Sequence, residues 1–235
     1  MSQVLLVKNI SREGPGLLEG ILRGRNISYD LVDLAAGEAF PAPAGYKAVI
    51  VFGGPDSAND TTEKMTAELG RIKEVLDQNI PYLGICLGLQ TLVKAAGGEV
   101  LKAPVREIGF VDAEGVPYQV DVTEAGKAAP LFAGLTSPLH VFQLHGETVA
   151  LTPDMSLLAT AKTCQNQVVR VGKNAYGIQP HFELTPDMLQ VWGTEDPDLI
   201  PIGLPKLNEQ FAAIQTQYEQ IGKTLFNNFL DVVGV

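Results

Sequence analysis

The sequence predicts an α/β protein built on a mostly parallel sheet with helices on both faces. Four short runs rich in Val, Ile and Leu occur in the N-terminal part, and none alternates apolar with polar residues. Such continuous runs are typical of parallel strands buried on both faces. Segments in which apolar residues recur at helical spacing lie between these runs, and this strand–helix repetition predicts a doubly wound sheet. The predicted strands are residues 4–7, 29–34, 48–52 and 81–85.

Two helices are predicted between these strands. Residues 16–23 form a weak helical pattern, whereas residues 62–78 form a stronger one. In the stronger pattern, Met65, Leu69 and Ile72 recur at the spacing of one helix face. These helices are therefore expected to cover the sheet.

The middle of the chain predicts a different kind of structure. Residues 108–123 and 139–170 carry Gly and Pro punctuation with little helical periodicity. We interpret them as antiparallel strands, added either to the edge of the sheet or as a small β subdomain.

The C-terminal part is expected to end in a helix. Residues 193–206 are rich in Pro, Gly and Asp and predict a surface loop, and residues 207–233 predict a long amphipathic helix that docks on the body. We expect one domain over residues 1–235, in which residues 193–235 are this loop and helical extension.

Composition and charge exclude several classes of function. The net charge is −10 and no Lys/Arg cluster forms a stripe, so no nucleic acid partner is expected. Residues 1–10 lack the features of a signal peptide and no apolar run is long enough to span a bilayer, so no membrane association is expected. Two cysteines, Cys86 and Cys164, in a chain of this length favour a reducing, cytoplasmic location.

Cys86 lies in the segment Gly84-Ile85-Cys86-Leu87-Gly88, which has the spacing of a nucleophile elbow. The glycines allow a strand and a helix to approach without Cβ clashes. The N-terminus of that helix favours a thiolate, and the backbone N–H of Leu87 points at a developing oxyanion. The alternative is a buried cysteine in a glycine-containing loop, so the hypothesis of a nucleophile requires a base.

His181 is the predicted base among three histidines. Glu183 lies two residues further on, and side chains at i and i+2 of an extended segment share one side. Glu183 would then orient the imidazole toward Cys86. The alternative is a histidine at a strand end with a solvated glutamate, so the pair requires support from the other motifs. His145 is the rival base, whereas His140 beside an apolar strand is interpreted as structural. The cysteines and histidines lack the spacing of metal ligands, so no metal site is predicted.

A second glycine loop follows the predicted strand 48–52. Gly53-Gly54-Pro55 ends that strand, and glycine lets such a turn present a backbone N–H to an anionic group. It is not a phosphate-binding loop, because the Gly-Lys-Ser/Thr ending is absent. Its position matters because ligands of open α/β sheets bind at the carboxyl ends of the strands.

Four motifs now stand in sequence order: Gly-Gly-Pro at 53–55, GICLGLQ at 84–90, FQLHGE at 142–147 and GIQPHFE at 177–183. This order resembles the class I (triad-type) glutamine amidotransferases, in particular stand-alone chains similar to the amidotransferase domain of GMP synthase. The resemblance covers most of residues 1–190 and implies a flavodoxin-like sheet, in agreement with the fold class above.

The resemblance also implies an activity. Cys86 would attack the side-chain amide of glutamine and form a thioester, His181 would act as base and then as acid, and Glu183 would orient His181. The substrate would be glutamine, no cofactor is expected, and the ammonia would pass to an unknown acceptor or a synthetase partner subunit.

The remaining site residues follow from the same resemblance. Gly54 and Leu87 would donate N–H groups to the oxyanion. Gln90, Gly53 and His145 would line the pocket for the substrate, with Gln90 near its amino-acid end.

The chain departs from the family pattern at two places. The family usually reads Phe-His-Pro-Glu at the last motif, whereas this chain reads Pro-His-Phe-Glu at 180–183. Many relatives read Trp-His-Gly-Asp where this chain reads Leu-His-Gly-Glu at 144–147. The first change bears on the geometry of the base and the second on the pocket.

Two other functions remain open at this point. The same cysteine and base would serve a γ-glutamyl hydrolase or transferase that acts on peptides or conjugates. A non-catalytic regulatory subunit with the same fold is the third hypothesis, although it has no need of a complete Cys-His-Glu set.

Overall fold

The computed structural model describes residues 3–235. Residues 1 and 2, which belong to the N-terminal segment 1–10 considered above, lie outside that range. The strands are β1 (Val4–Lys8), β2 (Tyr29–Asp33), β3 (Ala48–Val51), β4 (Tyr82–Ile85), β5 (Glu99–Gly109), β6 (Gln119–Val122), β7 (Leu139–His140), β8 (Gln143–Ala150), β9 (Met155–Thr160), β10 (Val168–Val171) and β11 (Ala175–Ile178). The helices are α1 (Leu17–Gly24), α2 (Glu63–Asp77), α3 (Leu87–Ala95), α4 (Glu124–Lys127), α5 (Pro186–Glu195) and α6 (Leu204–Val233), with short 3-10 helices at Leu34–Ala36 and Pro130–Phe132.

The parallel half of the main sheet contains the four predicted strands. The nine-stranded sheet has the order β2-β1-β3-β4-β11-β10-β9-β6-β7. β1 pairs in parallel with β2 and β3, and β4 pairs in parallel with β3 and β11. Every residue of β3, β4 and β11 is buried, as expected of strands covered on both faces. The predicted α/β fold with a mostly parallel sheet is confirmed.

The middle of the chain supplies both kinds of antiparallel structure that the sequence left open. β10, β9, β6 and β7 extend the main sheet in antiparallel pairs. β5 and β8 form a separate two-stranded antiparallel ribbon. The predicted antiparallel extension of the sheet is therefore confirmed, whereas the ribbon contains β5, a strand that lies mostly outside the segments predicted to be antiparallel.

Helices cover the two faces of the parallel half. Leu18 of α1 and Phe226 of α6 belong to a core cluster on one face. Ile72 of α2 and Leu92 of α3 belong to a cluster on the other face. Alternate side chains of β1 enter these two clusters, because successive strand residues point to opposite faces.

The prediction of a surface loop over residues 193–206 is wrong at both ends of that range. α5, which the sequence analysis did not predict, extends to Glu195, and α6 begins at Leu204. Pro186 and Pro205 stand in the first turns of these helices, where the missing N–H of proline removes no hydrogen bond. The sequence analysis therefore assigned Pro205, which stands in the first turn of a helix, to a loop.

Four connections leave the carboxyl ends of the parallel strands β1, β3, β4 and β11. They begin at Asn9, Phe52, Cys86 and Gln179. Because carboxyl ends of parallel strands meet at one edge of the sheet, these connections meet there.

Candidate active site

Cys86 lies on the sharp turn between β4 and α3. Its φ is 53° and its ψ is −106°, a conformation that a non-glycine residue rarely adopts. The backbone holds it from both sides, because Cys86 N–H donates to Ile178 O at 2.7 Å and Cys86 O accepts from the N–H groups of Leu89 and Gln90. The thiol donates to Leu144 O at 3.6 Å. The predicted elbow is the local structure observed.

Glycine is required on both sides of this turn. A Cβ on Gly84 would overlap the backbone carbonyl of Gly88 and lie 2.7 Å from Leu89 N. A Cβ on Gly88 would overlap the carbonyl of Val51 in β3. The first turn of α3 can therefore rest directly on the two strands that precede it.

His181 and Glu183 follow β11 and lie together in the core. His181 Nδ1 is 2.6 Å from Glu183 Oε1, and both side chains are 1% exposed. The N–H of Phe182 donates to the other carboxylate oxygen at 3.0 Å. Backbone bonds fix the histidine, since its N–H donates to Phe142 O and its carbonyl accepts from the Tyr218 hydroxyl of α6. Pro180 precedes this bonded N–H and removes none of these bonds.

The electrostatics of the site favour a protonated imidazole. Burial lowers the pKa of His181, but the Glu183 carboxylate and the adjacent Cys86 thiol together raise it well above its usual range. Glu183 accepts the Nδ1 proton, which leaves Nε2 as the ring nitrogen available to Cys86.

The other predicted residues lie around this centre. Gly54 and Gln90 line a cavity of about 580 Å³ together with Cys86 and His181. Gln90 Nε2 donates to Glu147 O at 3.4 Å.

Gly53 and Leu87 lie behind the wall of this cavity. A Cβ on Gly54 would be 3.4 Å from Leu87 Cδ2, so these two residues are neighbours. Leu87 is the first residue of α3, and the N–H groups of a first helical turn have no partner within the helix.

His145 lies on the cavity wall but does not offer a free ring nitrogen. Its Nδ1 is 2.9 Å from Glu147 O and its Nε2 is 2.9 Å from Glu107 Oε2. Both partners are hydrogen-bond acceptors, which leaves no nitrogen to take a thiol proton from Cys86. His140 lies on β7 at the far edge of the sheet, beside Gln119, and belongs to no part of this site.

Glu107, His145 and Cys164 form a buried group that the sequence analysis did not find. One ligand atom from each lies within 4.8 Å of the others. Each is already hydrogen-bonded, and the Cys164 thiol contacts Thr148 Oγ1 at 3.1 Å. Burial raises the pKa of the Cys164 thiol.

Four further charged residues line the cavity, and the sequence analysis did not single them out. Arg12 pairs with Asp196 at 2.5 Å, and Arg106 pairs with Asp198. These ion pairs hold the α5–α6 connection over the cavity that contains Cys86. The partners are distant in sequence, so no local pattern indicates them.

Glu13, which the sequence analysis also did not single out, lies on the same cavity wall. It occupies the connection that leaves β1. In the sheet, β1 lies next to β3, which lies next to β4, the strand that leads to Cys86. Ligands of open α/β sheets bind at the carboxyl ends of the strands, and applying this rule to β1 as well as to β3 would have indicated the connection that contains Glu13.

Comparison with known proteins agrees with this fold. The chain matches the sequence model of the family described as glutamine amidotransferase class-I over residues 21–191. It is 36% identical over 174 residues to a putative glutamine amidotransferase-like protein, YfeJ, of Salmonella typhimurium, a match that covers 72% of this chain and 69% of that protein. A crystal structure of a glutamine amidotransferase from Thermotoga maritima matches with a TM-score of 0.84 and 29% identity, covering 98% of this chain and 96% of that chain.

This chain therefore belongs to the class-I glutamine amidotransferase family, as the resemblance of its motifs implied. GMP synthase of Marinobacter nauticus is 31% identical over 168 residues, which are 67% of this chain but 28% of that enzyme. The chain thus spans little more than a quarter of the length of this GMP synthase. Across residues 3–235, no helix has the length and apolar character needed to cross a membrane.

Proposed function

We propose that this protein hydrolyses the side-chain amide of glutamine through a thioester on Cys86. The observation that supports this most directly is the pairing of His181 with Glu183 beside a cysteine whose φ is 53°. A buried structural cysteine has no need of this strained turn or of a buried His–Glu pair.

In the proposed reaction, Cys86 Sγ attacks the carbon of the amide while His181 takes the thiol proton. The C–N bond then breaks as His181 returns that proton to the leaving nitrogen, and ammonia departs. Water hydrolyses the thioester to glutamate and restores the thiol, with His181 again acting first as base. Glu183 fixes the tautomer of His181 and stabilises its cation. The raised pKa of His181 supports this role, because it favours the protonated ring after the thiol has lost its proton.

Backbone N–H groups are proposed to bind the negative oxygen of the tetrahedral intermediate. Leu87 offers an N–H at the start of α3, and Gly54 lies beside it after the end of β3. A donor in such a position contributes about 3–4 kcal/mol to transition-state stabilisation.

The amino-acid end of glutamine is proposed to lie toward Gln90. His145 shapes this part of the pocket and does not act as a base, since acceptors occupy both of its nitrogens. Gly53 is proposed to act through its backbone and its lack of a side chain, because a Cβ there would lie 3.0 Å from His181 Cε1.

The ammonia is proposed to pass to a synthetase partner subunit. The GMP synthase relatives extend well beyond the part that this chain matches. A separate synthetase chain would supply what those relatives carry in the same chain. We propose the cytoplasm as the location, because a chain with two free cysteines fits a reducing compartment.

The test is intact-mass analysis after exposure to a diazo-ketone analogue of glutamine. We expect one adduct on the parent protein and on the matched control Cys164→Ser, and none on Cys86→Ser. Glutamine should protect against the adduct, and His181→Ala should slow its formation. If no adduct forms while iodoacetamide still modifies Cys86, the proposed glutamine pocket is wrong.

A γ-glutamyl hydrolase or transferase is the second candidate. The observation that favours it is the size of the cavity, about 580 Å³, which extends from Cys86 to Arg106 and Asp198. That volume suits a ligand larger than a single amino acid. Measurement of ammonia released from glutamine against amine released from γ-glutamyl amides separates the two candidates.

A further inference from the structure

Glu13 is a buried carboxyl group in the same cavity as Cys86 and His181. It is 4% exposed, and its Oε2 atom has no hydrogen-bond partner. Glu13 also lies outside residues 21–191, the part of the chain that matches the family. A buried, unpartnered carboxyl oxygen is costly to maintain, which points to a ligand that satisfies it during the reaction.

The position of Gly53 shows how close this carboxyl is to the reacting groups. A Cβ on Gly53 would lie 2.8 Å from Glu13 Oε2, 3.0 Å from His181 Cε1 and 3.4 Å from Cys86 Cβ. The three side chains therefore meet around one point, and Glu13 Oε2 lies on the Cε1 side of the imidazole. Glu183 binds the ring at Nδ1, which leaves Nε2 for the reacting groups.

We infer that Glu13 is a further catalytic residue, which binds the leaving nitrogen of the scissile amide and then the water that replaces it. This inference rests on the proposed function. In that reaction the oxyanion faces Gly54 and Leu87, whereas the leaving nitrogen faces His181, which protonates it. The free oxygen of Glu13 lies on the His181 side.

His181 Nε2 gives its proton to the nitrogen as the C–N bond breaks, and the departing ammonia donates another of its N–H groups to the Glu13 carboxylate. Water then takes the same place, with one O–H toward His181 and the other toward Glu13. His181 removes the first proton as the water oxygen attacks the thioester carbon, and the C–S bond breaks.

The groups around Glu13 place its ionisation in the neutral range, where both the acid and the carboxylate form are populated. Burial raises the pKa of Glu13 to about 7, and the positive charge of His181 opposes that rise. The other charged groups that act on it are Glu183, Arg12 and Asp196. Protonation of His181 during the reaction therefore favours the carboxylate form of Glu13.

The experiment compares kcat/KM for glutamine with kcat/KM for the γ-methyl ester of glutamate. The first value reports every step up to the departure of ammonia. The methanol that leaves the ester takes its one proton from His181 and has no second proton for Glu13. The ester therefore tests Cys86 and His181 without the contact that is proposed for Glu13.

We expect Glu13→Ala to lower kcat/KM for glutamine by about 30-fold, the effect of losing one hydrogen bond to a charged group. The value for the ester should fall by less than about 3-fold. Glu13→Gln, which keeps an oxygen acceptor without the charge, should retain part of the activity on glutamine. Glu68→Gln is the matched control, because Glu68 is also buried, with a pKa raised mainly by burial to about 7, but does not line the cavity.

Equal losses on both substrates would overturn the inference, because Glu13 would then act on the thiol or on the fold. A loss on glutamine that disappears with glutaramate, which lacks the α-amino group, would also overturn it and would assign Glu13 to the substrate ammonium. A parent protein that hydrolyses neither substrate would overturn the proposed function and this inference with it. A parent protein that hydrolyses both, alongside an unchanged Glu13→Ala variant, would overturn the role of Glu13 alone.

Discussion

Replacement of Gly84 by alanine tests the packing that holds the turn at Cys86. The added Cβ would overlap the carbonyl of Gly88 and stand 2.7 Å from Leu89 N. All of these are backbone atoms of α3, so no flexible side chain can move aside. The strand and the helix must separate, and overpacking of this kind costs about 3 kcal/mol.

Gly70→Ala is the matched control with the opposite expected sign. Gly70 is an exposed residue of α2, and a Cβ there would meet nothing within 4 Å. Alanine is a better helix former than glycine, so this variant should gain up to about 1 kcal/mol. The two substitutions add the same methyl group in two different surroundings.

The assay is thermal unfolding of the parent protein and both variants. For a chain of this size, a loss of about 3 kcal/mol lowers Tm by about 6–12 °C, and a gain of about 1 kcal/mol raises it by about 2–4 °C. Gly84→Ala should also lose activity, because separation of α3 from β4 displaces the N–H of Leu87. A Gly84→Ala variant as stable as the parent would refute the argument that close backbone approach requires glycine here.

Four further predictions concern the groups around the site. Between about pH 4 and about pH 8, Glu68→Gln should gain about 3 kcal/mol of stability relative to the parent. The pKa of Glu68 is raised to about 7 in the folded protein, so the parent loses stability as the pH rises from the unfolded pKa through about 7. Urea titrations at both pH values test this. Iodoacetamide should modify Cys86 of the native protein but not Cys164, which is 2% exposed and whose thiol has a raised pKa. Peptide mapping that finds Cys164 modified before Cys86 would contradict this. Glu183→Gln should lower kcat by at least about 100-fold and lower the pKa of His181, and an unchanged pH profile would contradict this. Tyr218→Phe should destabilise the fold by about 1–2 kcal/mol, since the carbonyl of His181 loses its donor; an unchanged midpoint in urea would count against that bond.

The elbow could be predicted from sequence because its physics is local. Gly84, Cys86 and Gly88 fall within five successive residues, and a positive φ at the cysteine together with two close backbone approaches accounts for all three. The pairing of His181 with Glu183 is local too, since side chains two apart in an extended segment share one side. Local rules therefore indicate the residues that carry the proposed chemistry.

The rest of the cavity depends on contacts that no local rule contains. Arg12 and Asp196 are far apart in sequence, and their pairing follows from the way α5 returns over the end of β1. His145 shows the same limit. Its sequence context made it a rival base, but Glu107 from the neighbouring strand β5 occupies the nitrogen that a base would need.

The C-terminal helix shows how a correct prediction of an element can still omit its function. The amphipathic pattern indicated a helix that docks on the body, and α6 does pack against the sheet through Phe226 and Phe229. The pattern treats Tyr218 as one more apolar residue, since it is fully buried. Its hydroxyl nevertheless reaches the backbone on both sides of Glu183, donating to His181 O at 2.9 Å and accepting from Leu184 N–H at 3.3 Å. Because these bonds fix the backbone that carries the proposed base, the helix contributes to the geometry of the site as well as to the core.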